Sequence, residues 1–320
     1  MKITILDDYQ GIIKELNCFS LLEGQEVQIL NYTEKNPVLL AEKLADTSIL
    51  VLTRERTEVD EKLLSLLPNL KLISQTGKIS NHLNLDDCTK FKVLVAEGVG
   101  SPIAPAELTW ALLMNTVRQI PQAIGGMKNG QWQVNIGSTV YGKTIGIWGY
   151  GKIGQKIAQY AKVFGAKVLV WGSEASRQKA VSDGFEQAHS KEAFFKNADV
   201  VTLHLRLNEN TLEIVKESDL KLMKDDAVLI NTARAELIEK GALLVSLKAG
   251  KPKYAGLDVY MEEPIYDTGF EFLQFPTVVC TPHIGYVERN GYELYFGKAF
   301  ENVINFINGN PTNIANTELL

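Results

Sequence analysis

The segment Gly149-Tyr150-Gly151-Lys152-Ile153-Gly154 constrains this chain more than any other. It follows the apolar run Thr144-Ile145-Gly146-Ile147-Trp148 and opens a stretch that places Ile153, Ile157, Ala158, Ala161 and Phe164 on one helical face. The pattern reads as strand, tight glycine turn and amphipathic helix. The three glycines act differently, since the first permits the turn, the second lets backbone approach a pyrophosphate, and the third lets helix and strand pack closely. Gly149, Gly151 and Gly154, with the free N–H groups of the helix they open, are therefore candidate phosphate contacts at a helix N-terminus. Glycine turns also serve geometry alone, and it is the flanking strand and helix that favour a dinucleotide site.

On both sides of this turn short apolar runs alternate with helical patterns. Before it come Ile3-Thr4-Ile5-Leu6, Val27-Gln28-Ile29-Leu30, Ile49-Leu50-Val51-Leu52, Leu70-Lys71-Leu72-Ile73 and Lys92-Val93-Leu94-Val95, with helices expected at 37–45 and 58–67. After it come strands expected at 167–171, 199–203, 227–230, 255–259 and 277–280, and a helix at 239–248 closed by Gly250. Such alternation predicts an α/β protein built on parallel sheets. The segment 102–120 has little polar face, which predicts a buried connecting helix, closed by Pro121, with apolar surface to spare for a subunit interface. A last helix, expected at 288–308, carries Tyr292, Phe296, Phe300, Val303, Ile304 and Ile307 on one stripe and is expected to pack back on the first domain.

With 320 residues, 45% of them apolar, the chain has material for two domains. A net charge of −5 without a basic cluster argues against a nucleic-acid partner. Cys18, Cys88 and Cys280 lie far apart, so neither a metal site nor a disulfide framework is expected. No apolar run reaches membrane-spanning length and no secretory leader is evident, which leads to the expectation of a soluble, cytoplasmic protein without a membrane partner.

Chemistry concentrates at three expected strand ends. Arg234 lies just beyond one strand in Asn231-Thr232-Ala233-Arg234, Glu263 beyond the next, and His283 beyond the last in Thr281-Pro282-His283-Ile284-Gly285. Ligands of open α/β sheets bind outside the strands' carboxyl ends. Singly, each residue has a plain structural explanation as a capping arginine, a solvated glutamate or a loop histidine. Together they fit hydride transfer to a ketone, which leaves charge on oxygen and needs an acid. A carboxylate beside an imidazole favours its acid form, and a guanidinium binds a carboxylate through two parallel hydrogen bonds.

On these residues the chain resembles the D-isomer-specific 2-hydroxyacid dehydrogenases. The likeness spans nearly its whole length and also rests on Pro105-Ala106-Glu107, Leu203-His204-Leu205, Leu257-Asp258-Val259 and Glu263-Pro264. The resemblance implies a Rossmann-type doubly wound domain (102–285) inserted into a smaller flavodoxin-like α/β substrate domain (1–101 and 286–320). It implies that Arg234 orients the substrate while Glu263 and His283 form the acid/base pair. It further implies that Asp258 holds the nicotinamide carboxamide, that the backbone of Lys152 and Ile153 lies over the pyrophosphate, that Thr232 and Gly285 contact the nicotinamide, and that the protein is a homodimer.

Three departures from the family pattern carry information. Where an aspartate usually closes the second strand of the cofactor domain stands Gly172, followed by Ser173 and, on the next turn, Arg177. Arg206 replaces a proline often found near the adenosine. Both changes point to acceptance of NADP, while Glu174 offers the ribose a carboxylate that would suit NAD. In the substrate loop, which with Arg234 is expected to dock the substrate carboxylate, Lys78 and Ile79 follow Gly77 where Val and Gly are common, so Lys78 is a candidate contact for a second anionic group. Arg54 and Arg56, after the third strand, match a region where some relatives hold phosphate-bearing substrates. The reading is an NAD(P)-dependent oxidoreductase acting on a small 2-oxoacid or D-2-hydroxyacid. The alternative is a dinucleotide-sensing, corepressor-like regulator on the same fold.

Overall fold

The first sheet starts at residue 2. β1 (Lys2–Ile5), β2 (Glu26–Ile29), β3 (Ile49–Leu52), β4 (Leu72–Gln75) and β5 (Leu94–Ala96) are all parallel, in the order β2-β1-β3-β4-β5. Every residue of β3 and β4 is buried, as expected for strands covered on both faces. The helices Pro37–Lys43, Glu61–Ser65 and Leu85–Lys90 begin at Asn36, Asp60 and Asn84, whose side chains accept the first free N–H groups. This computed structural model describes all 320 residues, which fall into two compact units, 1–101 with 287–320, and 102–286.

The helix Arg289–Ile307 returns to the first unit, where the Ser74 hydroxyl donates to the Ala299 carbonyl at 2.9 Å. Glu293 on this helix accepts the N–H groups of Asn17 and Cys18 at 2.7 and 2.9 Å, capping the short helix Asn17–Leu22. Beyond it the chain covers the exposed edge of β5: Ile314 pairs antiparallel with Ala96, and the Asn316 side chain both accepts from Val95 N–H and donates to the Val93 carbonyl.

In the second unit, β6 (Thr144–Trp148), β7 (Lys167–Trp171), β8 (Glu186–Gln187), β9 (Val200–Leu203), β10 (Val228–Asn231), β11 (Tyr254–Leu257) and β12 (Val278–Cys280) form a parallel sheet ordered β12-β11-β10-β9-β6-β7-β8. The order reverses between β6 and β9, the place where doubly wound sheets open a crevice at their carboxyl ends. Alternation along β6 separates two cores. Ile145 and Ile147 join Leu112, Leu113 and Ile157 on one face, and Trp148 joins Phe194 and Phe195 on the other.

The apolar helix forms at Ile103–Arg118 and packs within this unit on β10, β11, β12 and the helix Lys152–Val163. Pro121 does not close it. Gln119, left-handed at φ 52° and ψ 43°, ends the helix, and Pro121 sits in the first turn of the next one, Ile120–Lys128. A proline there gives up no hydrogen bond, because first-turn N–H groups have no partner within the helix. β8 and the helix Glu174–Ser182 had no strong periodic signal: β8 is two exposed residues long, and the helix buries only Ala180. No helix is long and apolar enough to cross a membrane.

Candidate active site

The glycine turn is shaped by close backbone contact. A Cβ on Gly149, whose φ is +99°, would lie 2.7 Å from the His204 carbonyl oxygen, and one on Gly154 would lie 2.1 Å from that of Gly149. Gly151 differs, because a Cβ there would meet nothing within 4 Å. It is the N-cap of the helix Lys152–Val163 and brings no capping side chain, so the start of that helix leaves room for an approaching group. This cradle fits a dinucleotide pyrophosphate. Beside it, burial pushes the imidazole of His204 down to about 3, and this neutral ring pairs with the Thr202 hydroxyl at 2.9 Å.

Gly149 N–H donates to the Trp171 carbonyl at 2.9 Å, which sets the end of β7 against the turn. Gly172 follows with φ +152°, a conformation that L side chains rarely adopt, and its Cβ position would be 3.5 Å from Ser176. The missing acid is thus matched by a backbone that disfavours one. Ser173 caps the following helix, its hydroxyl accepting Ser176 N–H at 3.3 Å and donating to the Ser176 hydroxyl at 3.2 Å. Glu174 accepts from Gln178 at 2.9 Å along the helix surface. Arg177 lays its guanidinium over the Trp171 ring, 4.8 Å from the centroid, with its Nε buried and without a hydrogen-bond partner. Arg206 is exposed in the loop after β9.

The ends of β10, β11 and β12 are level, since Asn231 pairs with Leu257 and Leu257 with Cys280. Arg234, Asp258, Glu263 and His283 therefore leave neighbouring strands from the same row. Asn231 ties its loop, donating to the Arg234 carbonyl at 2.8 Å and accepting Ala233 N–H at 3.0 Å. Arg234 Nη1 donates to the Ala233 carbonyl at 2.6 Å. Thr232 meets Thr109 of the apolar helix, hydroxyl to hydroxyl at 2.6 Å.

His283 Nδ1 lies 2.6 Å from Glu263 Oε2, and Glu263 Oε1 accepts Tyr260 N–H at 2.9 Å. The glutamate is thereby fixed from one side and holds the imidazole from the other. His283 itself is left-handed, with φ 51°, and its ring meets that of Tyr286 edge to face, centroids 5.9 Å apart and planes at 80°. Asp258, fully buried, accepts from Thr281 Oγ1 at 2.6 Å, Ile284 N–H at 2.8 Å and Gly285 N–H at 2.9 Å. Burial raises its carboxyl above the ordinary value, opposed by those donors and by the charge of His283. Both Asp258 oxygens thus pin the loop that carries the histidine.

In the first unit, Arg54 follows β3 in a left-handed conformation (φ 57°). Its N–H donates to Thr76 Oγ1 at 2.9 Å, and its carbonyl accepts from Gln75 at 2.8 Å. The guanidinium lies 5.6 Å from the Tyr295 ring centroid and so close to Gly77 that a Cβ there would be 2.1 Å from Nη1. Lys78 points elsewhere: its ammonium is 2.6 Å from Glu97, whose other oxygen accepts Ile79 N–H. The charge expected for a second substrate anion is met within the protein.

Trp171, Ser176, Tyr260 and Tyr286 line these sites without having been singled out from sequence. Only Trp171 had a usable signal, an aromatic ending a strand six residues before an arginine.

The chain is similar to known proteins over nearly its whole length. The family model for the NAD binding domain of D-isomer specific 2-hydroxyacid dehydrogenases matches residues 110–285. A glyoxylate reductase of Thermococcus litoralis is 33% identical over 293 residues, which cover 88% of this chain and 87% of that protein. A solved structure of a phosphoglycerate oxidoreductase from Vibrio cholerae is 50% identical with a TM-score of 0.94, covering 97% of this chain and 99% of that one. A second, from Ralstonia solanacearum, is 47% identical with a TM-score of 0.97, covering 100% and 98%.

Proposed function

The chain belongs to the D-isomer-specific 2-hydroxyacid dehydrogenase family of oxidoreductases, and we propose that it interconverts a small 2-oxoacid and its D-2-hydroxyacid, accepting NADP(H) as well as NAD(H). The observation that carries this reading is the 2.6 Å contact between Glu263 and His283, on a loop level with the Arg234 loop. The dinucleotide is assigned to the second unit, on Gly149, Gly151, Lys152, Ile153, Gly154, Thr232, Asp258 and Gly285. When bound, its reduced nicotinamide supplies the hydride.

Arg234 binds the substrate carboxylate and polarises the adjoining carbonyl, for which a planar fork of donors is suited. His283 gives its proton to the developing alkoxide from Nε2, because Nδ1 is occupied by Glu263. Glu263 fixes the tautomer and orientation of the ring, and Asp258 keeps the histidine loop in place. In the first unit Gly77 and the guanidinium above it are the assigned anion contact.

Acceptance of the 2′-phosphate is supported by Gly172 with its φ of +152°, by Arg177 and Ser176 beside it, and by the engagement of Glu174 with Gln178. Homodimerisation belongs to the same reading: Trp132, Ile136 and Tyr141 are 77%, 93% and 77% exposed, apolar surface that a second copy would bury. So does a reducing, cytoplasmic setting for the three free cysteines.

The test is a panel of 2-oxoacids, including glyoxylate and 3-phosphohydroxypyruvate, assayed with NADH and NADPH. Turnover of at least one 2-oxoacid is expected. Absence of turnover with intact dinucleotide binding would replace the enzyme with a dinucleotide-sensing regulator, and NADH strongly preferred over NADPH would remove the NADP assignment.

A further inference from the structure

We infer that Trp171 is the positioning residue for NADP selection: its ring is the platform that holds Arg177 where an adenosine 2′-phosphate would arrive. This rests on the reading that the site accepts NADP. Trp171 is the last residue of β7, and its carbonyl receives the N–H of Gly149 from the phosphate turn. Its ring is half-buried against the core formed by Trp148, Phe194 and Phe195, which fixes its orientation.

Arg177 lies in the first half of the helix Glu174–Ser182. Long helical side chains lean toward the helix N-terminus, which carries this one back over the strand end. There the guanidinium lies 4.8 Å from the indole centroid. A guanidinium stacked by its face keeps its N–H edge available for a bidentate acceptor, and phosphate is such an acceptor.

Two further observations suit Arg177 to an anionic partner. Nε of Arg177 is buried without a hydrogen-bond partner, and the nearest carboxylate on the helix, Glu174, is turned to Gln178. Gly172 adds no side chain between ring and turn, and Ser176 Oγ lies 3.8 Å from where its Cβ would be, adding a hydroxyl to the same spot. A lysine at 177 would bring the charge without the stacking plane. Selection for the 2′-phosphate thus depends on an aromatic residue that has no direct contact with the phosphate.

The experiment measures kcat/KM for NADPH and NADH in the wild-type protein and in Trp171→Phe, Trp171→Leu, Arg177→Lys, Arg177→Gln and the Trp171→Leu/Arg177→Gln double variant. Trp171→Leu is expected to lower the NADPH value about two- to thirty-fold through KM, the range of one cation–π contact, with NADH unchanged. Trp171→Phe should retain most of the preference, and Trp171→Leu should have no further effect once Arg177 is glutamine. Equal losses with both cofactors, or the same loss in the Arg177→Gln background, would overturn the platform.

Should Trp171→Leu fail to fold, Arg177→Lys decides: it is expected to lose NADPH affinity, and wild-type kinetics would overturn the inference. If Arg177→Gln itself leaves NADPH kinetics untouched, Arg177 does not hold the phosphate and the platform is overturned, whereas the NADP reading falls only if the wild-type protein strongly prefers NADH. If Arg177→Gln matters while Arg177→Lys and Trp171→Leu do not, only the platform falls.

Discussion

Asp258 and Gly285 are joined by a 2.9 Å hydrogen bond from the glycine N–H to Oδ2, and a Cβ on that glycine would come within 3.2 Å of the same oxygen. With Thr281 and Ile284 also donating to Oδ1, the carboxylate acts as the peg around which the His283 loop is wound. Asp258→Asn exchanges one acceptor oxygen for an amide group that faces N–H or O–H donors. We expect a loss of about 1–3 kcal/mol in unfolding free energy. Turnover should fall about ten- to a hundred-fold as the histidine shifts. Denaturant titration and steady-state kinetics check the two effects separately.

The Glu263–His283 pair leads to a prediction about catalysis without stability. His283→Ala and Glu263→Gln remove the acid and its tautomer lock, and each is expected to lower kcat by about 10²–10⁴-fold. Dinucleotide affinity, read by quenching of intrinsic fluorescence, should change little. Wild-type turnover in either variant would refute the assigned roles.

Gly151 and Gly154, three residues apart, should respond in opposite ways to alanine. At Gly154 the new methyl carbon would stand 2.1 Å from backbone oxygen, so the turn or helix must move and thermal stability should fall. At Gly151 it meets nothing within 4 Å, and the protein should fold with stability within about 0.5 kcal/mol of wild type. The same methyl would occupy the approach of the pyrophosphate, so KM for the dinucleotide should rise. A Gly151→Ala enzyme with unchanged KM would place the phosphates elsewhere.

How far the sequence disclosed this arrangement depended on the kind of interaction involved. The strands β3, β4, β6 and β9 are short runs buried on both faces, and burial imposes a hydrophobic signature that can be read directly. Arg234, Glu263 and His283 were legible because each lies just past such a run. Loop pairings were not. Nothing in the pattern announces that Glu97 meets Lys78, or that Arg54 crosses to Gly77, since surface ion pairs and loop conformations leave no period in the sequence. The end of the apolar helix was misplaced because proline is permitted at a helix start as well as after its finish, whereas Gln119 in a left-handed conformation gives no compositional sign.

Asp199 supplies a pH prediction. Burial works to raise its carboxyl, but Lys224 at 2.8 Å, the Thr144 N–H at 2.7 Å and Lys143 at 3.8 Å bring it below the ordinary value of 3.8. A carboxyl depressed in the folded state stabilises above its unfolded value, and that contribution is lost as pH falls through the folded value. Asp199→Asn should therefore cost about 1.5–3 kcal/mol near neutrality, with a difference from wild type that shrinks as pH is lowered below 3.8. Urea midpoints measured across the acid range check it; a gap independent of pH would mean that packing, not charge, had been lost.

Gly172 tests the cofactor assignment from the opposite direction. If the family's aspartate were merely absent, Gly172→Asp would convert the site to NAD use. Here the backbone stands at φ +152°, where any side chain is strained, and the Cβ would sit 3.5 Å from Ser176 and 3.7 Å from the Gly149 nitrogen. Strain of this type costs about 1–3 kcal/mol and would be passed to the neighbouring glycine turn. The introduced carboxylate would also face Arg177, which it is able to pair with and draw from the Trp171 ring. We therefore expect Gly172→Asp to lose NADPH activity by at least tenfold without a matching gain for NADH, together with a lower melting temperature. An efficient NADH enzyme of wild-type stability would show that the backbone at Gly172 adapts freely, and that the chain's cofactor choice is set by charge alone.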